Sequence, residues 1–197
     1  MTPDDFFSFA NGRRGHFLYE SGYHSDLWFD LETLCRHPAN LRPFIIELCR
    51  ELEPFHPDFI CGPLIEGSFV ALLAASELQL EFAYTLRIDS STEQMFPITY
   101  ELPKSLESTV KGKRVAIVND VISAGSAVRG THASLTNAQA DIVCIASLVL
   151  LGETFRGLAE RHQIPLKTLL TLPNQIWKPE HCPLCAQGTP LVGLANQ

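Results

Sequence analysis

Apolar positions along the chain fall into two patterns, a helical repeat and short unbroken runs. From Asn40, the stretch LRPFIIELCREL puts Leu41, Phe44, Ile45, Leu48 and Leu52 on one side of a 3.6-residue repeat, which predicts a helix with a core-facing side and Asn40 as its cap. Phe59 to Cys61 is a short apolar strand that runs into Gly62-Pro63, a turn with Gly67, and a helix ending near Leu80. Glu81 to Leu86 is the returning strand, so this section reads as a βαβ unit. Val115 to Val118, with three β-branched residues out of four, predicts a strand buried on both faces. A helix to about Asn137 follows. DIVCIASLVLL, from Asp141 to Leu151, is the longest apolar run and the choice for a central strand. GETFRGLAERHQI then reads as a helix and PLKTLLTL as a further strand. Strands and helices alternate from about Asp58 to Leu172, which predicts a right-handed, mainly parallel α/β sheet flanked by helices.

The ends and one middle section break the pattern. Residues 1–35 mix aromatics with Gly15 and Gly22 and alternate briefly from Leu27 to Leu31, which predicts an N-terminal helix and a hairpin that caps the main fold. Arg13, Arg14, His16, His24 and Asp26 are its polar residues to watch. Arg87 to Gly112 lacks a clean period, contains Pro97 and Pro103, and reads as a lid or β-arm rather than a bare linker. Residues 173–197 are turn-rich and read as a tail wrapping the surface. The expected organisation is one domain over 1–197, with a hood at 1–35, an α/β core at 40–172 and the tail.

Composition narrows the partners. With 46% hydrophobic residues, a chain of 197 residues buries a real core. Its formal charge of −7 argues against nucleic acid as the main partner, because that binding needs a basic field. No apolar run approaches the ~20 residues of a membrane span, and the N-terminus is acidic, so no membrane association and a cytoplasmic location are expected. Of the six cysteines, Cys35, Cys49, Cys61 and Cys144 stand singly in apolar or helical contexts, as reduced core thiols do.

The strongest chemical signal is RVAIVNDVISAGSAVRG, Arg114 to Gly130. An apolar strand stops at Asn119 and Asp120, and Ser123, Ala124, Gly125, Ser126 and Ala127 follow. Small residues let backbone N–H groups approach an anion, and a helix N-terminus stands behind them, so the loop suits a phosphomonoester. Asp120 also has the bland reading of a helix N-cap.

These residues resemble the signature of type I phosphoribosyltransferases, which hold the 5-phosphate of phosphoribosyl pyrophosphate on such a loop. GHFLYESGYHSD resembles the hood entry of the orotate phosphoribosyltransferases, ICGPLIEGSFVA resembles their pyrophosphate loop, and W-x-x-x-x-CPLC-x-x-G-x-PL resembles a tail in a bacterial branch of that family. The resemblance implies a type I phosphoribosyltransferase-like fold and displacement of pyrophosphate by a ring nitrogen of a nucleobase, orotate foremost. It implies Asp120 at the ribose hydroxyls as the catalytic carboxylate, with Asn119 beside it. Ser123 to Ala127 are implied at the 5-phosphate, and Gly62, Pro63, Leu64, Ile65, Glu66 and Gly67 as the pyrophosphate loop. Arg87 and Lys104 are implied lid contacts, and Mg²⁺, chelated mainly by substrate, the cofactor. A homodimer is implied as well.

The chain departs from that pattern at three places. Asn119 stands where the family has a first acidic residue, Glu66 where it has Lys or Gly, and the lid intersperses Arg87, Lys104, Lys111 and Lys113 with Asp89, Glu93, Glu101 and Glu107. These leave open a binding or regulatory protein that kept the 5-phosphate loop, and a transferase for a different base. No metal ligand is assigned. Cys182 and Cys185, beside His181, make half of a tetrahedral site without a second CxxC, so they read as packed thiols in a turn, a site shared across a dimer staying open. His16, His24 and His132 read as hood packing or helix surface, and Trp28, Phe29 and Trp177 as core or interface aromatics.

Overall fold

The computed structural model describes residues 2–19, 22–89 and 98–193. The chain opens with α1 (Pro3–Phe9), started by a capping box in which Thr2 and Asp5 satisfy each other's backbone N–H groups. Strands β1 (Arg13–Leu18) and β2 (His24–Trp28) form the expected antiparallel hairpin. The alternation read through Leu31 stops at Trp28. Asp30 accepts from the Thr33 N–H and hydroxyl at 2.8 and 2.7 Å, and so caps α2 (Leu31–Arg36). The next helix, α3 (Pro38–Leu52), starts two residues before the expected cap. Pro38 has the pre-set φ of a first helical position, and the Asn40 N–H already bonds the His37 carbonyl at 2.9 Å, so Asn40 lies inside the first turn. Its expected core side is the observed one: Leu41, Phe44, Ile45, Leu48 and Leu52 are all buried.

The α/β core follows as β3 (Phe59–Pro63), α4 (Glu66–Leu78), β4 (Glu81–Asp89), β5 (Ile98–Glu101), α5 (Lys104–Val110), β6 (Arg114–Ile122), α6 (Ser126–Asn137), β7 (Asp141–Leu151), α7 (Arg156–Arg161) and β8 (Leu166–Leu172). The sheet order is β5-β4-β3-β6-β7-β8, parallel except that β5 runs antiparallel to β4. β3 and β6 are thus central, and β7 is interior between β6 and β8. Residues read as a lid or arm become the β4–β5 arm and the unanticipated α5; the stretch 90–97, with Glu93, lies outside the described residues. The helix read from Gly152 to Ile164 contracts to α7.

Unbroken apolar strands predict a sheet covered on both sides, and two core clusters cover it. One joins α3, α4 and the hairpin through Leu27, Phe29, Leu48, Val70, Val118 and Leu148. The other joins α6 and α7 through Ile117, Val128, Leu135, Ile145 and Phe155. The tail does more than wrap. Its β9 (Ile176–Trp177) pairs with β2, His24 opposite Trp177, to complete a three-stranded sheet β1-β2-β9. A short α8 (Pro183–Ala186) follows, and Val192 bridges to Phe17. No described helix is long and apolar enough to cross a membrane.

Candidate functional site

Central strand β6 delivers the site at its carboxyl end. Asn119 and Asp120, expected just past the strand, lie within it and are buried at 7% and 4% exposure, because β6 keeps its register with β7 through Ile122. Ser123 to Gly125 form the loop proper, whereas Ser126 and Ala127 open α6. Gly125 is the N-cap, with φ +75°, and no side chain caps the helix. The first-turn N–H groups of α6 have no partner one turn back, so the dipole end and its donors face the loop. This removes the N-cap reading of Asp120, whose Oδ1 instead accepts the Val121 N–H at 2.7 Å.

Loop 62–67 lies alongside, at the carboxyl end of β3. Gly62 and Pro63 belong to the strand, the Leu64–Ile65 peptide is cis, and Glu66 and Gly67 begin α4 rather than a turn. Both glycines are there for space. A Cβ on Gly62 would stand 2.7 Å from the Gly67 carbonyl oxygen, and one on Gly67 would meet the side-chain oxygen of Asn119. Asn119 donates from Nδ2 to the Val121 carbonyl at 2.9 Å. A neutral amide therefore fills the position next to the pyrophosphate-loop candidate and seams β6 to α4.

Burial pushes the Asp120 carboxyl up to about 7, the Val121 N–H opposes the rise, and the charge of Glu66 adds to it. Cys35 of α2 lies in the same field: burial first, then Asp120 and Glu66, push its thiol up to about 12. Asp120 at the carboxyl end of β6 and Glu66 at the start of α4 are oxygen donors of the kind suited to a hard divalent cation.

The lid candidates separate. Arg87 pairs opposite Tyr100 across β4–β5, and Tyr100 packs against Gly130 of α6. Directly opposed residues share a sheet face, so Arg87 projects on the α6 side, toward the helix that carries the loop. Lys104 is exposed at the start of α5, beyond the edge strand β5. A groove of about 810 Å³ lies between β5 and α6, lined by Tyr100, Glu101, Ser126 and Arg129. A second cavity of about 220 Å³ lies between α6 and α7, where the His132 and His162 rings meet at 5.1 Å.

Sequence reading missed Asn174. Its Oδ1 accepts from Ser25 Oγ at 2.9 Å and its Nδ2 stands 3.5 Å from Ser123 Oγ, linking the hairpin to the phosphate-loop candidate. Ser25 is itself buried beside Tyr19, whose hydroxyl donates to the Leu27 carbonyl at 2.7 Å. An Asn in a turn-rich tail carries no local signal for this role. The packing readings hold for Phe29, buried edge-on to Phe6 and Phe7, and for Trp28, tilted against Phe17 and Tyr19. His16 and His24 do have partners, which the spacing rule could not see: they meet Cys182 and Cys185, while His181 is exposed beside them.

Comparison with known proteins shows the family and the fold. A phosphoribosyl transferase domain model matches residues 31–184. An orotate phosphoribosyltransferase of Caldicellulosiruptor saccharolyticus is 29% identical over 182 residues, 90% of this chain and 86% of that protein. One of Caldanaerobacter subterraneus subsp. tengcongensis is 26% identical over 179 residues, 91% of this chain and 87% of that protein. Among solved structures, orotate phosphoribosyltransferase from Aeropyrum pernix superposes with TM-score 0.67 at 21% identity, covering 87% of this chain and 94% of that one. Adenine phosphoribosyltransferase from Thermoanaerobacter pseudethanolicus gives TM-score 0.68 at 16% identity, covering 87% of this chain and 100% of that one. The fold is common to enzymes of both bases; the sequence relatives cited are of the orotate type.

Proposed function

The chain belongs to the phosphoribosyl transferase domain family, and from that premise we propose that it transfers the phosphoribosyl group of phosphoribosyl pyrophosphate to orotate, with release of pyrophosphate. The observation that carries the reading is the juxtaposition of buried Asp120 with an uncapped, glycine-led helix start on the central strand. In this reading Ser123, Ala124, Gly125, Ser126 and Ala127 bind the 5-phosphate, with the N–H groups of the first α6 turn supplying donors and Asn174 steadying Ser123. Asp120, with Asn119 alongside, holds the ribose. Its carboxylate faces the positive charge that grows at C1′ as the bond to pyrophosphate breaks and the bond to the base nitrogen forms. The proton of that nitrogen passes to solvent, and the electron pair of the broken C1′–O bond leaves with pyrophosphate. Gly62 to Gly67 cradle the pyrophosphate, and Arg87, on the α6 face, is the cation of the pair Arg87 and Lys104 better placed to contact phosphate.

Mg²⁺ fits the chemistry of these oxygen donors, Asp120 and Glu66; with the substrate oxygens that mainly chelate it they would hold it, and it would supply charge neutralisation of the departing pyrophosphate. This would also give Glu66 a use where the resemblance implies Lys or Gly. The chain acts as one cytoplasmic domain in a homodimer. Support for the dimer is an exposed apolar stripe, Ile65, Phe69 and Leu72, one turn apart at the start of α4. Phe69→Asp is expected to convert a dimer into a monomer by light scattering coupled to gel filtration; unchanged mass for the variant, or a wild-type monomer, counts against that surface.

Purified protein with Mg²⁺, phosphoribosyl pyrophosphate and orotate is expected to release pyrophosphate and form the nucleotide. Turnover with another base and none with orotate moves the acceptor. Binding of phosphoribosyl pyrophosphate by calorimetry, without turnover on any base of a panel, replaces the transferase by a binding protein, the reading that Asn119 favours.

A further inference from the structure

We propose that the chain carries a structural zinc ion held by His16, His24, Cys182 and Cys185, which ties the C-terminal tail to the N-terminal hairpin. Their four ligand atoms lie within 4.8 Å of one another. His16 Nε2 is 3.0 Å from His24 Nδ1, 3.4 Å from Cys182 Sγ and 3.8 Å from Cys185 Sγ, and Cys185 Sγ is 3.3 Å from His24 Nδ1. A tetrahedron with Zn–N near 2.0–2.1 Å and Zn–S near 2.3 Å has edges of about 3.3 Å between nitrogens and about 3.6 Å between nitrogen and sulfur. The observed separations scatter around those edges. Two imidazoles and two thiols converging on one point, with His16, His24 and Cys182 buried, is the Cys₂His₂ set of structural zinc sites.

The surroundings orient the ligands. His16 Nδ1 stands 2.9 Å from the Thr189 carbonyl, so its ring proton belongs there and the Nε2 lone pair turns inward. Cys182 is the N-cap residue of α8 and Cys185 lies within that single turn, which is closed just beyond its end where the Gly188 N–H bonds the Cys185 carbonyl at 3.0 Å and Gly188 takes φ +70°. The register shift of β1 between Arg14 and Phe17 falls at His16, and β9 pairs at His24. Each pair of ligands is thus presented by a rigid turn or hairpin. A hydrogen-bonded cluster without metal would need only one proton between the histidines and gives no reason for two thiols to crowd the same point.

The need for a staple is physical. The three-stranded sheet contains a two-residue strand, β9, and sits at the edge of the main core, and small β units of this kind lack the apolar burial to hold themselves. A metal that binds only the assembled ligands adds its binding free energy to their docking. The tail so fastened brings Asn174 to Ser25 and Ser123, so the ion supports the hairpin side of the candidate active site without touching it.

The test is metal analysis of the full chain purified from zinc-supplemented cells without affinity metals. One zinc per chain is expected by plasma mass spectrometry. Cobalt replacement is expected to give the visible bands of a tetrahedral site and the near-ultraviolet charge transfer of thiolate ligands. Cys185→Ser is expected to lose at least nine-tenths of the bound zinc, and His181→Ala to keep it. Chelation of the wild type is expected to lower its melting temperature and to open the tail to protease ahead of the core. A wild-type chain with under a tenth of an equivalent of zinc and no tetrahedral cobalt spectrum overturns the proposal; so does zinc that survives Cys185→Ser or departs with His181→Ala. None of these readouts depends on transferase activity.

Discussion

Asp120→Asn is expected to slow pyrophosphate release by about 10²–10³-fold, the usual effect of deleting one preorganised electrostatic group from a transition state, while making the ligand-free protein more stable at pH 8. The second half follows from burial. An ordinary aspartate titrates at 3.8, whereas the folded Asp120 titrates at about 7 because desolvation and Glu66 disfavour its charge. The folded state therefore binds a proton that the unfolded state has released, across the window from about pH 4 to about pH 7. Stability falls as pH rises through that window, and the whole cost stands above it. At about 1.4 kcal/mol for each tenfold change in proton affinity, the cost approaches about 4 kcal/mol, an upper bound because the site relaxes around the charge. Asn carries no charge to desolvate, so urea melts at pH 5 and pH 8 should show the wild type losing stability relative to the variant. Equal pH slopes for the two proteins would sink the strained-carboxylate account. Wild-type turnover by the variant would remove Asp120 from the reaction. Adding Mg²⁺ and phosphoribosyl pyrophosphate should narrow the gap, since a cation that meets Asp120 offsets the cost of its buried charge.

Much of this architecture was legible in the apolar pattern, because strands covered on both faces are written as unbroken runs and α3 as a clean 3.6-residue repeat. Phe59 to Cys61, Val115 to Val118 and Asp141 to Leu151 all became parallel strands of one sheet. What escaped was decided by single polar contacts or by distant pairing. Asp30 turns an apparent strand into α2 by capping it, and α5 is too short to show a period. The phosphate-loop candidate was readable as a run of small residues, yet its division at Gly125 was not, since the strand continues to Ile122 through its pairing with β7. The Cys₂His₂ cluster was beyond a search by spacing. Its halves lie at opposite ends of the chain, and only the hairpin register and the β2–β9 pairing bring them together. Asn174 is hidden for the same reason.

Gly125→Ala is expected to destabilise the protein by about 2–4 kcal/mol and to weaken phosphoribosyl pyrophosphate binding by roughly 10²-fold, two losses with one cause. The residue sits at φ +75°, where a Cβ costs about 1–2 kcal/mol by its contact with the following carbonyl. That Cβ would also enter the ring of Phe155, which is fully buried against Val128 and Ala159. A close-packed ring cannot swing aside without opening the cluster, so part of the strain goes into the loop and moves the first-turn N–H groups of α6. A displacement of about 1 Å is enough for the affinity loss. Phe155→Leu separates the terms: the double variant should recover the steric part of the stability and keep the backbone part, which thermal melts of the four proteins read as a coupling energy. Calorimetry on the same four should show affinity tracking that recovery. A Gly125→Ala protein that melts lower but binds phosphoribosyl pyrophosphate like the wild type would place the phosphate elsewhere than on this loop.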